Sequence, residues 1–275
     1  MNSHYKMTTN KSLPSKLYKY QSYNTQTLDN LKNRHLWFSK PARFNDPFDC
    51  GISFSSENIT DDVWKFLYEG VKAQWEVGQN QEQKKLAETY FQGDEPDEKF
   101  KSEFSKFSFK QSLQTEIQPR GIACFSERVD EILMWSHYAN GHRGFCLEFD
   151  TSFDPFLKAV DVNYSQKLPP LQKADIGLDL LMILARTKSV GWSYEKEWRV
   201  FHEEGDKEYG IDFAALTSIY FGCEMPFTHR EVISLIVQGS PTKLYRMKIS
   251  ETEFKVVPQL IEYTPYDYGK KLTNK

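Results

Sequence analysis

One stretch constrains the fold more than any other: ACFSERVDEILMWSHYANGHRGFCLEFD, Ala123 to Asp150. Ile122 to Phe125 is an unbroken apolar run, as in a buried strand, and leads into Ser126-Glu127. Asp130 to Ala139 reads as a helix stopped at Asn140-Gly141. Phe145, Leu147 and Phe149 then alternate with Cys146 and Glu148, the period of a strand. On the helix, Ile132, Trp135 and Ala139 share an inward face. Leu133, Ser136, His137 and Asn140 share another, which sets a hydroxyl, an imidazole and an amide side by side.

A second compact stretch, GWSYEKEWRV from Gly191 to Val200, is its chemical counterpart. Read as a strand from Ser193 to His202, it places Glu195, Glu197 and Arg199 on one face, and Tyr194, Lys196, Trp198 and Val200 on the other. A solvent-facing ion-paired strand would account for that row. So would a carboxylate kept ionised by Arg199, able to stabilise positive charge developing on a sugar carbon.

The rest of the chain supplies the frame. Leu17 to Tyr20 suits a short strand with Tyr18 and Tyr20 on one face; Thr25 caps a helix to Lys32; Leu36 to Ser39 is a second strand. FNDPFD, from Phe44 to Asp49, is an ordered turn, because the residue before Pro47 is steered away from helix. Asn45 and Asp46 either hold that turn locally or face a ligand. Residues 57–118 read as a mostly helical insertion, with Trp64, Leu67, Tyr68, Val71 and Trp75 at helical spacing and Phe100, Phe104, Phe107 and Leu113 in a further helix. Beyond it come a strand near Ala159 to Tyr164, an apolar helix from about Asp175 to Arg186, and a helix from Thr228 to Val237. Strands near Leu244 to Ile249 and Glu253 to Val257 follow, then a surface tail. The expectation is a single α+β domain over 1–275 with a mixed or antiparallel β core.

Composition narrows the function classes. The net charge of −3 gives no basic field for nucleic-acid backbones. No apolar run reaches the roughly 18 residues of a membrane helix, and the first residues are polar, so a cytoplasmic protein is expected. Cys50, Cys124, Cys146 and Cys223 are scattered without a C-x-x-C pair, which suits reduced thiols and makes a metal site improbable. Aromatics at 15% fit either a ring-rich core or a pocket that stacks a flat ligand. His137 and His142 are five apart across a helix end, a poor fit to helical metal ligation; His137 is either a satisfied structural histidine or an acid–base group.

LYKYQSYNTQTLDNLKNRHLWFSKPARFNDPFDC, ACFSERVDEILMWSHYANGHRGFCLEFD and YEKEWRV together resemble the bacterial family known as domain of unknown function 2971, over about residues 17–202. Their order is also similar, more distantly, to ADP-ribosyltransferase-like folds. That second resemblance implies an enzyme that binds NAD and acts at its glycosidic carbon, and in bacteria suggests a toxin or phage-defence effector. It assigns Glu197, with Glu195 two residues before it, to the ribose, and Tyr18 or Tyr20 to NAD. The pocket serine falls on Ser39 or Ser126. The usual first-strand Arg or His is replaced by Tyr18, Lys19 and Tyr20. Partners would be a nucleotide or small molecule, with a protein or nucleic-acid acceptor open. Two other readings stand beside it: a non-catalytic sensor pocket, and a nuclease or hydrolase built on Asp46, Asp49 and Glu127.

Overall fold

The computed structural model describes residues 11–50, 59–76, 93, 95–104, 117–168 and 185–263. Eight strands form one sheet: β1 (Lys16–Gln21), β3 (Gly121–Ser126), β4 (Phe145–Asp150), β5 (Val160–Asp161), β8 (Glu197–His202), β10 (Leu216–Phe221), β11 (Lys243–Ile249) and β12 (Val256–Ile261). Their order across the sheet is β12-β11-β10-β4-β1-β3-β8-β5. Neighbours run antiparallel except β10 and β11, which are parallel. That exception follows from the connection, because α5 (Phe227–Ile236) crosses over between them. The mixed, largely antiparallel α+β architecture expected from the sequence is therefore present. Two short pairs flank it, β2 (His35–Phe38) with β9 (Lys207–Gly210), and β6 (Asn163–Ser165) with β7 (Thr187–Ser189).

Alternation along the strands separates two faces. Leu17, Phe125, Trp198, Val200, Leu147, Phe149, Ile219 and Phe221 project into the main core, where Leu31 of α1 (Thr25–Asn33) and Ile233 of α5 cover them. The opposite face carries Tyr20, Cys146 and Tyr220 and packs against Met134 and Trp135 of α4 (Ile132–Tyr138). Trp135 is fully buried, sits edge-on to Tyr20 at 5.1 Å and donates its indole N–H to the Val129 carbonyl at 2.7 Å. A third apolar cluster joins Val63, Trp64 and Tyr68 of α2 (Asp61–Glu76) to Phe100 of α3 (Glu98–Phe104) and to Ile122 of β3. These two helices are the described part of the expected insertion. Val71, Trp75, Phe104, Phe107 and Leu113 have side chains outside the described residues, as does most of the helix expected at 175–186.

Several local expectations are corrected. α1 is capped by Asn24, not Thr25: the Asn24 carboxamide accepts from the Thr27 amide while the Thr27 hydroxyl accepts from the Asn24 amide, closing a capping box. Ile132 is 39% exposed because α4 begins there, and Met134 takes the inward position beside Trp135. The stop after α4 is the expected one, with Asn140, Gly141 and His142 all at positive φ. Glu195 does not lie on a strand. It ends a 3₁₀ turn (Val190–Glu195), Lys196 follows in a left-handed conformation at φ 45°, and β8 starts only at Glu197.

Candidate functional site

β1 and β3 are registered at one pair, Tyr18 opposite Ser126, whereas β1 and β4 stay paired along the whole strand. Beyond that pair a pocket of about 410 Å³ has Tyr18, Lys19 and Tyr20 of β1 and Cys124 and Phe125 of β3 among its lining residues. Phe44, Asn45 and Asp49 of the FNDPFD turn, Met134, His137 and Tyr138 of α4, and Lys188, Glu195 and Glu197 close it. Its size is in the range of small-molecule sites.

An ion-pair network forms its floor. Arg199, fully buried, donates Nε to Glu197 Oε1 at 2.7 Å and Nη2 to Glu197 Oε2 at 3.0 Å. The same guanidinium reaches Asp49 Oδ1 and Oδ2 at 2.7 and 2.6 Å and the Ala185 carbonyl at 2.7 Å. Lys188 Nζ meets Glu195 Oε2 at 2.6 Å, Glu197 Oε2 at 3.1 Å and Asp49 Oδ2 at 3.5 Å. Tyr138 donates its hydroxyl to Glu195 Oε1 at 2.5 Å. The network ties three separate segments of chain together at the floor of one cleft.

The two glutamates are driven in opposite directions. Burial pushes the Glu195 carboxyl up, the Glu197 charge adds to it, and Lys188 opposes both, leaving it at about 6. Burial also raises Glu197, but Arg199 and then Lys188 outweigh it and hold that carboxyl well below the ordinary range. Burial would lower Lys188; the surrounding Glu197, Glu195 and Asp49 charges instead hold it well above the usual lysine value. Adjacent carboxylates with separated affinities for a proton are the usual basis for dividing acid–base roles.

The residues singled out from the sequence are distributed unevenly. Tyr18, Tyr20, Asn45, His137, Glu195 and Glu197 all line this pocket, and Arg199 lies directly behind Glu197. Ser39 does not line it. Its backbone forms an isolated antiparallel bridge with Ile122, at the far end of β3 from Ser126. Ser126 is fully buried and not at the wall: its hydroxyl donates to the Glu195 carbonyl at 2.6 Å and accepts from the Arg128 amide at 3.1 Å. Asp46 closes its turn by accepting from the Phe48 amide at 2.9 Å, the local role such a residue takes before proline. The three carboxylates of the hydrolase reading are engaged apart, Asp46 in that turn, Asp49 on Arg199 and Glu127 on the Trp198 indole at 2.7 Å. Among the described residues no group of three His, Cys, Asp or Glu could hold a metal ion. None of their helices is long and apolar enough to cross a membrane.

Asp49 as an arginine partner, Lys188 and Tyr138 are the site residues that sequence reading missed, while Lys19, named only as a stand-in for a first-strand Arg or His, also lines the pocket. Lys188 belongs to no patterned stretch, and only the folding of β7 against the 3₁₀ turn brings it to the carboxylates.

With that geometry in view, comparison with known proteins adds one finding. Residues 134–200 match the family model described as Protein of unknown function (DUF2971). The matched segment carries His137, Tyr138, Lys188, Glu195, Glu197 and Arg199, while Tyr18, Tyr20 and Asp49 come from outside it. It is shorter than the span over which the sequence resembles that family. No curated protein and no solved structure matches the chain. The likeness to ADP-ribosyltransferases therefore gains no support from relatives.

Proposed function

We propose that this pocket is the active site of an enzyme that breaks or transfers at a glycosidic carbon, with NAD or a related nucleotide as substrate. The observation that carries this reading is the divided pair of carboxylates at one wall. Glu197, kept ionised by Arg199 and Lys188, would face the positive charge that grows on the sugar carbon as the bond breaks. Glu195, at about 6, is mostly ionised at neutral pH and is a stronger base than an ordinary carboxylate, suited to take a proton from the attacking water or acceptor hydroxyl. Tyr18, Tyr20 and Phe44 offer ring surfaces for a flat base. Toxin or phage-defence use is implied by the resemblance to ADP-ribosyltransferase-like folds alone, and the acceptor, protein or nucleic acid, stays open.

The test is nicotinamide release from labelled NAD by the purified protein, alone and with cell lysate as a source of acceptor. Glu197→Gln should lower turnover by roughly 10²–10³-fold. In the wild type, activity should rise with pH through about 6 as Glu195 ionises, and Glu195→Gln should flatten that limb. Turnover unchanged in Glu197→Gln would remove that residue from the mechanism. A second reading has its own observation: both Glu197 oxygens are already paired, as in a rigid non-catalytic binding pocket. NAD binding without turnover under any condition favours that one.

A further inference from the structure

The cations at the pocket are not equivalent. Three line it: Arg43, Lys188 and Lys19. Arg43 reaches Asp206 at 2.6 Å, and Lys188 is surrounded by Asp49, Glu195 and Glu197. Among the described residues Lys19 has no carboxylate partner. Its Nζ donates to the Cys124 carbonyl at 3.2 Å, bridging the gap where β1 and β3 part, and lies 5.0 Å from the centre of the Phe125 ring. An ammonium carries three donors, so this contact leaves two without an acceptor among the described residues.

We infer that Lys19 binds the anionic group of the substrate, and that the substrate class is a phosphorylated sugar or nucleotide in preference to a neutral nucleoside. This deepens the glycosidic reading and rests on it for the placement of the sugar. Burial lowers the Lys19 amine below the usual lysine value, and the neighbouring Cys124 and Glu197 offset this only in part. A phosphate placed against it would supply the missing counter-charge and two acceptor oxygens at once. Of the other two, Lys188 is neutralised by three carboxylates, and Arg43 already shares its charge with Asp206 through Nε and is largely exposed, so Lys19 is the cation at the pocket without a carboxylate counter-charge among the described residues. Beyond the single Tyr18–Ser126 pair β1 and β3 part, and the gap leaves the Lys19 amine at the pocket wall.

The experiment compares ribose 5-phosphate with ribose by calorimetry, a measurement that needs no turnover. Wild-type protein should bind the phosphate form at least about tenfold more tightly, equivalent to about 1.4 kcal/mol. Lys19→Met should abolish the preference, and Lys19→Arg should keep part of it. Should Lys19→Met not fold, reductive methylation of the wild type decides instead: ribose 5-phosphate, and not ribose, should protect Lys19 in the peptide map. Equal binding of the two sugars, or protection by neither, overturns the assignment. Lys19-dependent phosphate binding with no turnover of any nucleotide would leave this site standing and remove the glycosidic reading. Turnover of neutral nucleosides as fast as their phosphates would do the reverse.

Discussion

At the scale of single residues, Arg199 organises the site. Its guanidinium is the planar fork that can hold Glu197 and Asp49 at once, which lysine could not reproduce. Arg199→Met should cost roughly 3–5 kcal/mol, measured by urea unfolding at pH 7, because it strands two buried carboxylates. The loss has a definite pH dependence. Glu197 has a depressed pKa when folded, so its contribution is present above the ordinary glutamate value of 4.5 and fades as pH falls below it. The gap between wild type and Arg199→Met should therefore narrow on acidification, and a gap that widens would contradict the ion-pair account. Much of this was legible in the sequence: Glu195, Glu197 and Arg199 stand out in YEKEWRV. Their partners were not, since Asp49 is 150 positions from Arg199.

At the scale of elements, the turn between α4 and β4 matters most. Gly144 has no room for a side chain: a Cβ there would lie 2.1 Å from the Gln21 carbonyl oxygen and 2.9 Å from that of Ala139. The same residue takes a hydrogen bond from Gly222 at 2.9 Å, so it joins α4, β1 and the end of β10. Gly144→Ala should cost on the order of 3 kcal/mol by forcing these backbones apart. Thermal unfolding that matches wild type would show that the turn relaxes freely. Helix and strand positions were readable here because α4 and β4 carry clear 3.6- and 2-residue periods. The start of β8 was not readable: Lys196 adopts a left-handed backbone that no strand pattern announces, and the alternation Glu195-Glu197-Arg199 runs straight through it.

At the scale of the molecule, the sheet has a well-buried centre and an exposed margin. β4 lies between β1 and β10 with five of its six residues buried, whereas four of the six residues of the edge strand β12 are exposed. Amide exchange should be slowest in β4 and its two neighbours and much faster in β12, as read by mass spectrometry of peptides. Equal protection across the sheet would indicate that the β12 edge is covered in solution. The sequence by itself determined the α+β class, the order of the main strands and helices, and which residue types could do chemistry, because all of these depend on local periodicity, turn residues and side-chain character. Only the tertiary structure decided that Ser39 and Ser126 lie away from the cleft, that Lys19 reaches into it, and that Lys188, Asp49 and Tyr138 complete the network. Those outcomes depend on where β1 and β3 separate and on which distant segments fold back onto β8, and such long-range contacts leave no mark on the local pattern.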